Sequence, residues 1–410
     1  MSSLVLPQSK DVPGIHTSHI AHNASTTYNA HGAHGAHGAH SATAAGHSAH
    51  TVPAANGTAV SAATQAPAAT QVPTSTQTPA APAVPAVPTA PAATGSAAAA
   101  TAPANAPTAG ASRLTTTVPR EYVHRAALAE VFLTSSEKTG EDTYTLTGQW
   151  PRAHTFFTTA DGRSHDHLQA CETLRQTGIY LAHAQHSIPL GHHFVMQDMT
   201  VTTHPEHLDI ANTPTDLTLY ATLTVPRRGT FTIDLVINCG TRTLAIGRGH
   251  FTCLSPAAYK RLRAGGAPAS QASGPALPYV PTHQDPAVFG RNLSHDLVLV
   301  PAHQPHTWRL NADPRHAILF DHDGDHIPGM VLIEAARQSA HPHLPPNAIP
   351  THTHTEFHRY VELTTPCYIT TTPQLQDPTQ PHSYTFHVTG HQNNQPTFTT
   401  YLTATTHPTP

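Results

Sequence analysis

Two stretches 162 positions apart carry the same three side chains at the same spacing: Glu172, Arg175 and Gln176, then Glu334, Arg337 and Gln338. On a helix, residues at i, i+3 and i+4 share one face, so each trio is predicted to stand together. Most of the positions around them are small or apolar, among them Ala170, Cys171, Leu174, Val331, Leu332, Ile333, Ala335 and Ala336. Such helices are expected to be enclosed by other structure. An acid and a guanidinium set into them are costly to bury without partners or a purpose. The chain therefore reads as two copies of one unit, each built around a polar-cored helix.

The 410 residues are not uniform. Residues 1–112 are dominated by Ala, Pro, Thr, Gly, Ser and His, with Lys10 the only Lys or Arg and Tyr28 the only aromatic residue of the Phe, Tyr and Trp kind. Too little apolar surface is available there to offset chain entropy, so this tail is expected to be disordered. His31, His34, His37 and His40 sit in a Gly-Ala-His repeat that could chelate a divalent metal, but a solvated low-complexity segment is the favoured reading and no metal or cofactor is assigned. The tail has neither a secretory nor a transit signature, and a start codon assigned too early would fit it as well. No apolar run reaches about 18 residues, so no membrane span is expected. A net charge of −4 argues against a general nucleic-acid footprint. Cys171, Cys239, Cys253 and Cys367 have no paired spacing, which suggests neither a zinc cage nor a disulfide framework and fits a reducing cytoplasm.

From Arg113 the pattern changes to strand-like alternation. Strands are expected at Glu130 to Thr134 and Thr143 to Trp150, a helix from about Asp166 to His186, then strands at Phe194 to Thr203, Leu217 to Val225, Thr230 to Asn238 and Arg242 to Cys253. A short helix opened by Pro256 closes the first unit, taken as 113–264. Residues 265–286, rich in Gly, Ala, Pro and Ser, read as a linker. The second unit, 287–410, repeats the order: a strand at Leu297 to Val300, a helix from Pro328 to about Ala340, and strands at Thr353 to Leu363, Cys367 to Thr372, Ser383 to Val388 and Pro396 to Ala404. Pro314-Arg315-His316 echoes Pro151-Arg152-Ala153-His154, and Phe357 echoes Phe194. Trp150 and Trp308 read as core anchors.

One long helix wrapped by an antiparallel sheet, occurring twice, is an α+β layout of the tandem (double) hotdog type. Each unit leaves a sheet edge that a second unit normally covers, so the pair is expected to form an intramolecular pseudo-dimer. The second helix, opened by Pro328-Gly329 and carrying Glu334, resembles the central helix of hotdog dehydratases. Those enzymes also need a His-Phe-Pro-Gly loop, which Phe320-Asp321-His322-Asp323-Gly324-Asp325-His326 lacks.

The first copy, Glu172-Thr173-Leu174-Arg175-Gln176-Thr177-Gly178-Ile179-Tyr180-Leu181-Ala182-His183 with Ile188-Pro189-Leu190-Gly191-His192, is more specific. Taken with the second, it resembles the A-factor biosynthesis family of actinobacterial γ-butyrolactone synthases from Arg113 to about Ala404. The resemblance implies transfer of a 3-oxoacyl group from acyl carrier protein to the hydroxyl of dihydroxyacetone phosphate. The ester would lead to a butenolide phosphate, the precursor of a diffusible signal. It also implies that Glu172 and Arg337 are the active residues.

Chemistry suits both. A carboxylate whose pKa is raised by burial can deprotonate an alcohol, the role expected of Glu172. A planar guanidinium can hold a phosphate through two hydrogen bonds, the role expected of Arg337 from the opposite unit. Arg175, Gln176, Glu334 and Gln338 are expected in support, with backbone N–H groups near Leu168 and Gly329 aimed at the thioester oxygen. His167 and His326 flank the helix starts and could assist proton transfer, although among 36 histidines an incidental surface place is the plainer reading. Cys171 could accept an acyl group, but an isolated Cys on such a helix is more simply core. Two other functions fit the same fold: a ligand-binding regulator that has lost turnover, and a thioesterase or dehydratase acting on carrier-protein substrates.

Overall fold

The structure, a computed structural model, describes residues 116–266, 275–322 and 324–406. The tail at 1–112 with its His31 to His40 repeat, and residues 267–274 of the expected linker, lie outside the described residues.

Strand and helix follow from burial with the expected periods. Strands β1 (Leu133–Lys138) and β2 (Thr143–Trp150) precede helix α1 (His167–His186). Then come β3 (His193–Thr203), β4 (Thr215–Arg227), β5 (Thr230–Cys239), β6 (Arg242–Leu254) and the short α2 (Pro256–Gly266). In β5 every second residue, Phe231, Ile233, Leu235 and Ile237, is buried and the residues between are half-buried, the two-residue period of a sheet with one face on a core. That core is α1, which ends at Ser187 in the left-handed region (φ 55), just before Pro189. Gly178 lets the helix approach the sheet closely: a Cβ there would sit 3.1 Å from the Phe251 ring.

The second half repeats the order. It runs β7 (Leu299–Pro301), β8 (Thr307–Leu310), α3 (Gly329–Ala340), β9 (Ala348–Phe357), β10 (Cys367–Pro373), β11 (Ser383–Gln392) and β12 (Gln395–Thr406). The expected strands at Glu130 and Leu297 begin later, at Leu133 and Leu299. Leu128–Glu130 and Ser294–Asp296 instead turn as single 3-10 turns, whose carbonyls the helix glutamines use. Trp150 is fully buried and donates to Thr173, whereas Trp308 only leans on the core.

All twelve described strands form one antiparallel sheet in the order β1-β2-β4-β5-β6-β3-β9-β12-β11-β10-β8-β7. Read outward from its centre, each half has the same sequence of strands. The halves meet where β3 pairs with β9, from Asp198 opposite Glu356 to Thr202 opposite His352. Histidines and threonines bind this seam. Thr200 pairs with His354 at 2.7 Å and Thr202 with His352 at 2.8 Å. His167 is buried rather than on the surface, and bridges Thr203 of β3 (3.1 Å) to Thr353 of β9 (2.9 Å). Burial, aided by the charges of His352 and Arg337, pulls His167 down to about 3, so it bridges as a neutral ring. Among the described residues no helix is long and apolar enough to cross a membrane.

His167→Ala strands two buried hydroxyls at the seam and is expected to cost about 1–3 kcal/mol. Urea unfolding should show a lower midpoint with an unchanged slope; an unmoved midpoint would show that the bridge contributes nothing.

Candidate active site

The repeated trio is half of a larger repeated knot. Both Glu172 oxygens are taken by guanidiniums: Arg175 from the same helix at 2.8 and 2.7 Å, and Arg125, from just before β1, at 2.7 Å. Gln176 donates to the same carboxylate at 2.7 Å and to the Glu130 carbonyl at 2.7 Å, and accepts from the Phe132 N–H at 3.0 Å. In the second half Glu334 receives Arg337 at 2.8 Å and Arg291 at 2.7 Å. Gln338 donates to the Asp296 carbonyl and accepts from Val298 N–H. Each knot reaches into the opposite half, through Arg125 to the Ile318 carbonyl (3.0 Å) and through Arg291 to the Phe156 carbonyl (2.5 Å).

This arrangement corrects the expected role of burial. Burial alone would raise the Glu172 carboxyl, but the charges of Arg125 and Arg175, with hydrogen bonds from Arg175 and Gln176, outweigh it and bring it down to about 2. Glu334 is brought to about 2 in the same way by Arg291 and Arg337. A carboxylate so held has both oxygens committed to the arginines and lies outside the cavity lining, so it is not placed to take a substrate proton. Arg337 is corrected too. It is buried, spends its guanidinium on Glu334 and the Phe289 carbonyl, and does not face Glu172 across a shared cavity.

The cavity itself, about 1400 Å³, opens beside the first knot. Arg125, Arg175 and His124 line it from the first half, while Asp321, His322, His326 and the start of α3 (Pro328, Gly329, Met330) line it from the second. Its apolar wall includes Met196, Met199, Ile233, Phe251, Ile333, and the two echoing phenylalanines, Phe194 and Phe357. Glu172, Gln176, Glu334, Arg337, Gln338 and His167 are not in its lining. Cys171 is not either, and burial pushes its thiol up to about 12, as befits a core residue.

Why one side is open is visible in paired positions. Asp166 caps α1, accepting from Leu168 N–H at 2.9 Å, and its other oxygen lies 3.5 Å from Arg291. Phe156 stacks under that guanidinium at 4.0 Å, so the second site is filled by its own side chains. The matching residues around the first knot are Pro328 and Ile318. Pro328 caps α3 with no side-chain acceptor, and Arg125 is left facing the cavity.

His295, Asp296 and His316 bring three potential metal ligands within 4.8 Å. His316 Nδ1, however, accepts from the Ile318 and Leu319 N–H groups and its Nε2 lies 3.0 Å from Asp296, so its lone pair is committed. His154 does the same with Phe156, Phe157 and Glu130. The sequence echo around these histidines marks a loop clamp present in both halves.

Sequence reasoning missed Arg125, Arg291 and His124. The signal was available by setting the copies side by side: Val123-His124-Arg125 stands opposite Phe289-Gly290-Arg291, 166 positions later.

Glu172→Gln leaves two buried guanidiniums without their charge partner and is expected to cost about 3–5 kcal/mol. Because the folded carboxyl titrates near 2 and an unfolded Glu near 4.3, this stabilisation is complete above about pH 5 and is lost as pH falls toward 2. Melting temperatures from pH 7 to pH 3 should drop less steeply in the variant than in the parent; parallel curves would contradict the ion-pair account.

The A-factor biosynthesis hotdog domain matches the chain twice, over residues 107–255 and 275–408. A 2-oxo-3-(phosphooxy)propyl 3-oxoalkanoate synthase of Streptomyces virginiae is 40% identical over 291 residues, covering 70% of this chain and 96% of its own. The synthase of the same name from Streptomyces griseus is 33% identical, covering 69% and 93%. Among solved structures, a 12:0-ACP thioesterase from Umbellularia californica is 9% identical, with a TM-score of 0.40, over 65% of this chain and 99% of its own. A trans-AT PKS dehydratase domain from Brevibacillus brevis is also 9% identical with a TM-score of 0.40, over 67% and 98%. With both hotdog units matched in tandem, this chain belongs to the A-factor biosynthesis hotdog family.

Proposed function

We propose that this protein is an acyltransferase that makes a 2-oxo-3-(phosphooxy)propyl 3-oxoalkanoate. It moves a 3-oxoacyl group from the thioester of an acyl carrier protein to the free hydroxyl of dihydroxyacetone phosphate, and the ester then closes to a butenolide phosphate. The observation that carries this reading is the large open cavity, which joins the Arg125 and Arg175 guanidiniums to an apolar wall. It offers an anion site and a place for an alkyl chain in one space. The names of the Streptomyces relatives describe an ester of those two parts.

In this reading Arg175, part-exposed on the cavity wall, takes the phosphate, the task expected of Arg337, and the buried Arg125 adds its charge beside it. Glu172 keeps both of them charged and aimed, acting as their anchor. The unblocked N–H groups at the start of α3 face charge developing on the thioester oxygen. Arg337 and Glu334, with Gln338, hold the filled counterpart and with it the loop through Phe156.

A carrier protein as donor is supported by charge. Between residues 217 and 284 the chain has seven Lys and Arg but one acid, Asp234, although the whole chain has 20 against 24. Within this basic region α2 exposes Lys260 and Arg261 while its Tyr259, Leu262 and Arg263 line the cavity. A negatively charged carrier meeting this rim would present its thioester at the opening. The four free thiols support a reducing compartment such as the cytoplasm.

Purified protein incubated with a 3-oxoacyl carrier protein and dihydroxyacetone phosphate should yield the phosphorylated ester by mass spectrometry; its absence rejects the reading. Arg175→Lys should lower kcat/KM about 100-fold, since one ammonium does not replace the fork. Reversing both rim charges, Lys260→Glu with Arg261→Glu, should raise KM for the carrier-borne donor about tenfold and weaken its dependence on salt. An unchanged KM at low salt would exclude α2 as the docking face.

A further inference from the structure

We infer that His124 is the catalytic base, with its Nδ1 taking the proton of the acceptor hydroxyl. This rests on the acyl-transfer reading above.

Three independent observations converge on that side chain. The first is backbone conformation: His124 has φ 52, in the left-handed region where a side chain is strained, while its counterpart in the filled half is Gly290 at φ 65. The fold asks for a left-handed residue here in both copies, and glycine meets that demand without strain. The copy beside the open cavity instead places an imidazole there. Strain of this kind persists where the surrounding structure holds it, and it clusters at active sites.

The second is position. His124 lines the cavity next to Arg125, held edge-on against Phe194 with ring centres 5.0 Å apart.

The third is a hydrogen-bond chain that fixes the tautomer. The Ile188 carbonyl can only accept, so His183 Nδ1, at 2.7 Å, carries the proton of that ring. His183 Nε2 is then an acceptor, and His124 Nε2, at 2.9 Å, must donate to it. That leaves His124 Nδ1 with a bare lone pair, and among the described residues nothing donates to it.

Electrostatics keep the ring ready. Burial first, then Arg175 and His183 of α1, His322 of the opposite half and His193 of β3, pull His124 down to about 3, so the free enzyme holds it unprotonated. A phosphate dianion against Arg175 offsets that guanidinium's share of the shift, while burial still keeps the ring neutral. The dianion thereby raises the imidazole's affinity for a proton once acceptor is bound. The step then balances. The acceptor oxygen attacks the thioester carbonyl as its proton passes to Nδ1. The tetrahedral intermediate collapses by breaking the C–S bond, and the departing thiolate recovers the proton from His124.

The decisive variant is His124→Gly, which keeps the left-handed backbone as Gly290 does. It should lower kcat about 100-fold or more while leaving dihydroxyacetone phosphate binding within about twofold, and added imidazole should restore part of the rate. In the parent, the acid limb of kcat should lie at higher pH than that of kcat/KM, because the first reports the acceptor-bound enzyme; the variant should lack that limb. Nitrogen-15 NMR of the parent should show His124 protonated on Nε2 alone. Equal rates of ester formation in parent and variant, or a proton on Nδ1, would overturn the assignment of His124 by itself. No ester from the parent would remove the acyl-transfer reading and the role of His124 with it.

Discussion

A carboxylate gripped by two guanidiniums inside the protein is the constraint from which the rest follows. Each of the three charges in such a knot would be expensive to bury alone, and two arginines around one acid leave a net positive charge in the interior. The cost is offset because every oxygen and most N–H groups have a partner: Arg125 and Arg175 on Glu172, Gln176 on the same acid and on the chain entering β1. One knot therefore fixes the helix, the segment before the first strand and a loop of the other half. That is why the fold can present charged groups to a cavity without leaving any of them loose.

The scaffold is symmetric and the site is not. Helix, sheet order, histidine clamp and knot all recur, yet one end of the pseudo-dimer is hollow and the other is packed. Few positions separate them. Asp166 against Pro328 decides whether a helix start is capped, Phe156 against Ile318 whether a ring slides under the arginine, and Gly290 against His124 whether the left-handed turn carries a side chain. The cavity lies in one copy, and side chains pack the matching place in the other, on the same framework.

Much of this could be read from the sequence, and the limits are physical. Spacing of four residues or fewer is legible, so Glu172, Arg175 and Gln176 and their repeats were placed together correctly. The two-residue alternation of β5 and its neighbours gave the strands. Arg125 and Arg291 lie 47 and 43 residues from their acids, and no local pattern joins them. Without them burial alone sets the sign of the Glu172 shift upward, and their charges reverse it. His167 looked incidental among many histidines because its partners, Thr203 and Thr353, come from two strands that meet only in the folded sheet. His124 needed the two copies aligned, where a histidine opposite a glycine is the visible clue.

The β3–β9 junction also has a kinetic meaning. In a protein assembled from separate subunits, a cavity lined by both would dissolve on dilution, since the halves would part. Here the partners are tethered, so their local concentration is set by chain geometry and stays high however scarce the protein is. A chamber lined by both halves of one chain therefore stays complete at any dilution.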